Sequence, residues 1–390
     1  MATYIDVKPE LIDWAIERAR VDLRSELPPI IQKALTWGKN GEKPTLKQLT
    51  DFAKKVMVPF GYLFLETPPK EPLPIADFRT FKDQKPQRPS PNLLDTIYEM
   101  QARQEWMRET VLTEEIGPIE WIGCVSEKDS VEQAALKIRK HLQLGADWES
   151  GCKKRFQQLR DSADNSGVLV FLGGRVGFGK RRLDHTEFRG FVLVDEYAPL
   201  VFINSNDTQT AQLFTLAHEL VHLAMGQSGL FNLPELYGGA REDEKHCNAI
   251  AAELLVPSKE FTDQWCNADK EEPIRLLARR FGVSTTVVAR RALDHRFLSK
   301  EQFFRFYHSE EEDRLRRQEA LAAKREDGEK STGPNIYTVL RRQMSPRFSH
   351  AVVEAARCGE LLHRDAFDLT GLKGSTFREF ARRIREGRDE

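Results

Sequence analysis

Residues 208–226 read TQTAQLFTLAHELVHLAMG, and this stretch decides how the chain is interpreted. Its apolar residues recur at helical spacing, and within it lies the pentapeptide His218-Glu219-Leu220-Val221-His222. Residues four apart lie on one face of a helix, so both imidazoles can reach one Zn²⁺ ion. Glu219 lies one residue along, where it can hold a water molecule without binding the metal. The pattern therefore predicts the general-base geometry of a metallopeptidase.

A catalytic zinc site also needs a third protein ligand, and the next helical pattern offers one. This pattern is EDEKHCNAIAAELLVP at residues 242–257. Glu244 and Asn248 share the face that would pack on the HExxH helix, so we predict Glu244 as the ligand. Asn248 could then orient a histidine through a hydrogen bond. His246 is a rival ligand, and Glu253, on another face, is expected to be solvated or salt-bridged.

Before the HExxH pattern the periodicity changes from helix to strand. Three short β-branched and aromatic runs, each bounded by Gly, Asp or Asn, predict three strands: SGVLVFLGG at 166–174, FRGFVLVDE at 188–196 and APLVFINS at 198–205. The expected fold class is α+β, with a zincin-like HExxH metallopeptidase core, a small mixed sheet and flanking helical domains. We expect APLVFINS to be an edge strand on which an extended peptide could add by β-pairing.

The segment between the two helical patterns is a candidate rim of the site. Residues 226–241 (GQSGLFNLPELYGGAR) contain Gly238-Gly239 and are expected to form a mobile loop. Tyr237, in this loop, and His246, just after it, are candidates to stabilise the oxyanion of a tetrahedral intermediate. For both residues a packing or surface role remains the alternative.

Composition excludes several classes of protein. The chain has 390 residues, of which 40% are hydrophobic and 31% charged, so it can fold around sizeable cores and wholesale disorder is excluded. No apolar run approaches the length of a membrane span, and the N-terminus lacks the order of a signal peptide. The five cysteines include no CxxC pair. We expect a cytoplasmic protein that does not enter a membrane.

Composition and breaker residues also predict a division into several domains. Seven prolines between residues 68 and 91 indicate a linker or extended strap. Helical patterns over residues 9–66 predict five short helices, the size of a small helix-turn-helix domain. The expected domains are an N-terminal helical domain, a Pro-rich linker, the metallopeptidase core, a helix-turn-helix-like region and a C-terminal helical module, at residues 1–70, 71–95, 96–270, 271–330 and 331–390.

These motifs together resemble the ImmA/IrrE family of zinc-dependent endopeptidases. HELVH is followed about twenty residues later by EKHCNAIAAELLVP and preceded by the strand PLVFINSND. The segment LPIADFRT at 73–80, after an N-terminal helix-turn-helix of the XRE class, is similar to longer members. The resemblance implies His218, His222 and Glu244 as zinc ligands and Glu219 as catalytic base, a gluzincin-like site. It also implies site-specific cleavage of a protein partner.

The partner implied by the resemblance is a helix-turn-helix repressor or an antitoxin-like protein, which could be encoded next to this chain. Members of the family act in stress responses, mobile elements and toxin–antitoxin loci. DNA is a second candidate partner, and for the N-terminal domain protein docking or homodimerisation is an alternative to DNA binding. The candidate contacts to nucleic acid or to a partner are Gln32, Lys33, Lys39, Arg279 and Arg290.

A second function remains compatible with the sequence. The chain could be a transcriptional regulator or an antitoxin that binds DNA or a toxin, with the zinc fold as a scaffold. The complete HExxH favours the enzyme, because a retired protease could lose Glu219 without losing its fold.

Overall fold

Two compact units make up the chain in the computed structural model. The first comprises Met1–Pro74 and Pro86–Tyr98, and the second Ile75–Lys85 and Glu99–Glu390. Each unit has its own hydrophobic core. The structure describes residues 3–21, 26–39, 42–71, 75, 89–126, 128–145, 148, 154–231, 242–267, 272–326 and 335–386.

The first unit is helical, with fewer helices than its sequence predicts. Where the sequence predicts five short helices over residues 9–66, the described residues form three α-helices and one 3₁₀ helix. Met57 ends the third helix with a φ of 55°, and Pro59 follows closely, so the next segment makes only a 3₁₀ turn. The elements are α1 (Pro9–Arg18), α2 (Pro29–Ala34), α3 (Leu46–Val56) and the 3₁₀ helix Phe60–Phe64.

Aromatic and ionic contacts hold the first unit together. Trp37 packs edge-on against Phe52 in its core, with ring centroids 5.5 Å apart. The buried guanidinium of Arg18 forms an ion pair with Glu71 and donates to the carbonyl of Met57. Residue 71 is thereby fixed to the helical core.

The second unit is mixed α and β, as predicted from the alternation of strand and helix patterns. Helix α4 (Pro91–Thr113) contains the boundary between the units. The strands are β1 (Leu169–Gly173), β2 (Gly190–Leu193), β3 (Leu200–Asn204) and β4 (Gly229–Phe231). The helices are α5 (Val131–His141), α6 (Arg155–Asn165), α7 (Gln209–Met225), α8 (Glu242–Leu255), α9 (Ser258–Asn267), α10 (Pro273–Phe281), α11 (Thr285–Asp294), α12 (Lys300–Glu326), α13 (Ile336–Gln343), α14 (Pro346–Cys358), α15 (His363–Thr370) and α16 (Gly374–Glu386).

The sheet is small and mixed, in the order β1-β3-β2-β4. Strand β3 pairs in parallel with β1 and antiparallel with β2, and β2 pairs antiparallel with β4. The prediction that APLVFINS is an edge strand is therefore wrong, because β3 has a hydrogen-bonded neighbour on each side. Strand β4 was not predicted, and it lies within the segment expected to be a loop.

Strands β1, β2 and β3 are buried on both faces, which explains why they are almost entirely apolar. Val170 and Val201 belong to the core that contains α7 and α8. On alternate positions Phe171 packs against Phe348 of α14, with centroids 5.3 Å apart. The sheet therefore lies between the metal-binding pattern and the C-terminal helices.

Helix α7 begins and ends where its sequence dictates. The hydroxyl of Thr208 accepts a hydrogen bond from the amide of Ala211 at the first turn, and Gly226 ends the helix with a φ of 70°. From Gln212 to Ala224 every side chain is buried, because α6, α8 and the sheet pack around the helix. Such a helix can hold its side chains in fixed positions.

Helix α8 is anchored at its C-terminal end by a buried ion pair. Glu253 accepts from Arg291 of α11 and also from the amide and hydroxyl of Ser258, the first residue of α9. Arg291 donates further to the carbonyl of Val256. The salt-bridged alternative predicted for Glu253 is the one found.

No helix among the described residues is long and apolar enough to cross a membrane.

Candidate metal centre

One turn of α7 carries the two histidines and the glutamate of the HExxH pattern. His218 and Glu219 are fully buried and His222 is 2% exposed. The Nε2 atoms of the two imidazoles face each other at 2.9 Å. The four-residue spacing thus brings two nitrogen donors to one point, as expected for residues on one face of a helix.

Helix α8 adds a carboxylate to this point. Glu244 is 2% exposed, and its oxygens lie 3.3 Å from Nε2 of His218 and 3.5 Å from Nε2 of His222. The donor atoms of the three residues all lie within 4.8 Å of one another. Among the described residues, this is the group whose geometry could hold a metal ion.

The donor set and its spacing fit a tetrahedral zinc ion. Zinc bonds of about 2.0–2.1 Å to nitrogen or oxygen place tetrahedral ligand atoms about 3.3 Å apart. The two distances from Glu244 agree with this value, and the separation of the imidazole nitrogens is shorter by about 0.4 Å. Two imidazoles and one carboxylate are also a ligand set used by catalytic zinc sites that keep one position open.

Charge is distributed unequally over the cluster. Burial raises the pKa of Glu244, but hydrogen bonds from His218 and His222 outweigh it and hold this pKa below its usual range. Burial lowers the pKa of His218 to about 4, so its imidazole is neutral near pH 7. A neutral imidazole and an ionised carboxylate are the forms that bind a metal.

Glu219 lies next to the cluster without joining it. Both of its carboxylate oxygens are buried and have no hydrogen-bond partner among the described residues. Burial raises its pKa to about 8. An unpartnered buried carboxyl group is costly, so it is expected where the group's partner is a water molecule or a substrate.

Strand β2 approaches Glu219 so closely that only glycine fits. A Cβ atom on Gly190 would lie 2.7 Å from Cγ2 of Thr215, 2.9 Å from the carbonyl oxygen of Phe202 and 3.2 Å from Oε1 of Glu219. Gly190, the first residue of β2, therefore lies directly beside the carboxyl group of Glu219. Sequence analysis treated Gly190 only as part of a strand, because a close approach between a strand and a distant helix leaves no local pattern.

The other residues predicted around the metal have different surroundings. Asn248 is 8% exposed and lies close to His218, where it partly offsets the lowering of that residue's pKa by burial, although both polar atoms of its side chain lack a well-aligned hydrogen bond. His246 is half-buried on α8 and is not in the metal-binding group. Tyr237 and Gly238-Gly239 lie outside the described residues.

Cys247 is a neighbour of the cluster that sequence analysis missed. It is fully buried, and its Sγ lies 3.9 Å from Nδ1 of His222 and 3.5 Å from Sδ of Met225. The signal was present, because Cys247 lies three residues after Glu244 and therefore on a neighbouring part of the same helix face. A thiol in this position can support the ring of His222 from the side away from Glu244.

The residues predicted to contact nucleic acid or a partner occur in both units. In the first unit, the amide of Gln32 donates to the carbonyl of Leu27, Lys33 is exposed, and Lys39 pairs with Asp13. In the second unit, Arg279 is exposed on α10 and Arg290 pairs with Asp294. Their roles in binding stay predictions.

The comparison of the sequence with known families bears directly on this site. Residues 176–293 match the IrrE N-terminal-like domain, Peptidase_M78. This M78 segment contains β2, β3, α7 and α8, and with them all three metal-binding candidates and Glu219. The match supports a peptidase and supports the resemblance to ImmA/IrrE for this part of the chain. The XRE-like identity of the N-terminal helices stays a prediction.

A second segment matches a family without an assigned role. Residues 344–383, which include α14 and α15, match a domain of unknown function, DUF8813. No curated protein sequence matches the chain.

Proposed function

We propose that the protein is a zinc-dependent endopeptidase that cleaves a regulatory protein partner at a specific site. One observation carries the proposal: within the M78 segment, three buried donor atoms converge beside an unpartnered buried carboxylate. Three ligands, a position for water and a separate base are the parts that zinc-dependent hydrolysis requires.

The residues divide into ligands and a base. His218, His222 and Glu244 would hold the ion, which when bound supplies Lewis-acid polarisation of the scissile carbonyl and acidifies water. In its ionised form, Glu219 takes the proton of the attacking water and later delivers it to the leaving amine. Because these groups are buried, water screens their charges less than it would at the surface, so their electrostatic interaction with a bound substrate is stronger.

The substrate class follows from the family resemblance. We propose a helix-turn-helix repressor or an antitoxin-like protein whose cleavage operates a stress, mobile-element or defence switch. Such a substrate would be bound as an extended segment, because peptidase clefts commonly fix the backbone beside a sheet. Strand β3 cannot supply this edge, and β4 is the described strand at the edge nearest to β2.

The variant Glu219→Gln separates chemistry from metal binding. Gln keeps the size of the side chain but cannot accept the proton, so zinc content should be unchanged and cleavage should fall by about 10²- to 10⁴-fold. Zinc is measured by elemental analysis. Cleavage is measured by incubating the protein with a repressor encoded next to it and identifying the fragments by mass spectrometry. A chelator should abolish cleavage by the unmodified protein.

The control is Glu260→Gln, a change of the same kind at a partly exposed residue of α9. Full cleavage by the Glu219→Gln variant would overturn the mechanism. Chelator-insensitive binding of a toxin or DNA, with no cleavage by any variant, would instead support the regulator or antitoxin function.

A further inference from the structure

A cavity lies in the unit that contains the candidate metal centre, between α6, α13 and α16. Its volume is about 560 Å³, which is within the range of about 300–1,000 Å³ found for small-molecule sites. Four arginines and a single carboxylate line it, namely Arg160, Arg341, Arg342, Arg383 and Asp161. Arg383 forms an ion pair with Glu379 at 2.7 Å, and the walls still hold more arginines than carboxylates.

Arg160 forms the buried wall of the cavity. It is 2% exposed, and its Nη2 donates to the carbonyl of Met344, while its Nε has no hydrogen-bond partner among the described residues. Burial lowers the pKa of this guanidinium, and the nearby charge of Arg342 lowers it further against the opposing effect of Asp161 and Asp164. A buried cation with an unused donor is stabilised when an anion binds beside it.

The carboxylate of Asp161 offsets only part of this charge. Asp161 accepts a hydrogen bond of 2.7 Å from the amide of Gln157, one turn earlier on α6. Arg342 is exposed and makes no ion pair with any residue that the structure describes. The guanidinium of Arg342 can therefore turn towards an incoming anion without breaking an existing contact.

Another part of the lining is aromatic and apolar, apart from Arg383. The guanidinium of Arg383 lies over the ring of Tyr337, 4.5 Å from its centroid, and this pair stands beside Phe380 and Ile384. A stacked tyrosine and arginine present flat surfaces on which a heterocyclic ring can lie. The lining of the cavity thus combines guanidinium groups with a flat aromatic surface.

We propose that this cavity binds a small phosphorylated ligand with a planar ring, of the class of the nucleoside monophosphates. The guanidinium of Arg342 can bind phosphate oxygens through paired hydrogen bonds, and the buried charge of Arg160 attracts the phosphate to the same part of the cavity. The base lies against Tyr337. The cavity lies outside the segment that matches the peptidase family, so the inference does not depend on the proposed hydrolysis.

Isothermal titration calorimetry on the full chain tests the site with AMP as the probe. AMP should bind, and adenosine, which lacks the phosphate, should bind at least about tenfold more weakly. Glucose 6-phosphate and inorganic phosphate, which lack the base, should also bind more weakly than AMP. Arg342→Gln, at an exposed position, should weaken AMP binding by about tenfold without affecting the fold, and Tyr337→Leu should remove the preference for AMP over glucose 6-phosphate.

The matched control is Arg364→Gln, an exposed arginine of α15 outside the cavity, which should bind AMP like the unmodified protein. Absence of AMP binding, or equal binding by the Arg342→Gln variant, would overturn the proposal. Adenosine binding as tight as AMP binding would also overturn it. Binding of a single-stranded oligonucleotide without binding of AMP would replace the small ligand by nucleic acid.

Discussion

At the scale of single residues, the candidate metal centre consists of groups that are costly to bury unless they have partners. Two imidazoles, Glu244 and Glu219 lie in the interior with little or no exposure to solvent. The ligand atoms partly satisfy one another, and a metal ion would complete them. Burial of these groups therefore lowers the stability of the metal-free protein but leaves the site preformed for a metal ion.

Glu244→Ala should remove the metal. Two imidazoles alone leave the ion with too few protein ligands, so the variant should be purified with much less zinc than the unmodified protein. Elemental analysis measures the zinc, and Glu260→Gln is again the control that should retain it. Unchanged zinc in the alanine variant would mean that Glu244 is not the third ligand.

Gly190→Ala tests the close approach of β2 to Glu219. The added methyl group meets backbone and side-chain atoms at 2.7–3.2 Å, so the free energy of unfolding should fall by about 1–3 kcal/mol. Cleavage should decline as well, because Glu219 must shift. Gly117→Ala is the control, since a Cβ there has no neighbour within 4 Å. Urea denaturation compares the two variants, and equal stabilities would contradict the argument.

The residue scale also shows how far the sequence predicts the site. The spacing of His218 and His222 lies within one helix, so their meeting follows from helical geometry alone. Glu244 reaches the histidines only if α7 and α8 pack in one register. Its prediction as a ligand depends on the helix face that it shares with Asn248 and on the family resemblance. The close approach of Gly190 to Glu219 depends on packing between distant segments, which a local pattern does not contain.

At the scale of elements, strands were predictable where they are buried on both faces. Leu169–Gly173, Gly190–Leu193 and Leu200–Asn204 are continuous apolar runs of four or five residues. Gly229–Phe231 has three residues, too few to show a period. The order of the strands was not predictable, because β1 pairs with β3 although β2 lies between them in the sequence, and such a non-local contact leaves no local pattern.

The ion pair between Glu253 and Arg291 should behave as a structural joint between α8, α9 and α11. Arg291→Met should lower the free energy of unfolding by about 3–5 kcal/mol, because Glu253 would be left buried with its charge unpaired. Adding Glu253→Gln should recover much of this loss. Urea denaturation of the two single variants and the double variant measures the coupling, and purely additive losses would show that the pair is not a joint.

At the scale of the second unit, the C-terminal helices are part of the same fold as the sheet. Phe348 of α14 packs against Phe171 of β1 and against Trp106 of α4, at centroid distances of 5.3 and 5.6 Å. Asp164 of α6 accepts hydrogen bonds from the hydroxyl of Ser345 and the amide of Arg347 at the start of α14. The segment that matches DUF8813 is therefore anchored by both aromatic and polar contacts.

Phe348→Ala should destabilise the second unit as a whole. Loss of a buried aromatic side chain costs about 3–5 kcal/mol, so the thermal transition should move to lower temperature while remaining a single step for this unit. Phe304→Ala is the control, since that ring is 43% exposed and its loss should cost far less. A Phe348→Ala variant with unchanged stability would show that α14 is not part of the core.

The anchoring of the C-terminal helices has a consequence for synthesis on the ribosome. Asp164 reaches Ser345 across 181 residues, and the carbonyl of Leu369 accepts from Arg103 across 266 residues. A nascent chain that has just released the HExxH helix still lacks the partners of these groups and the cover of Phe171. Because such distant contacts form last, the second unit completes its folding only after residues up to Leu369 have emerged. A translation product that ends before α14 would therefore expose apolar surface to quality-control proteases.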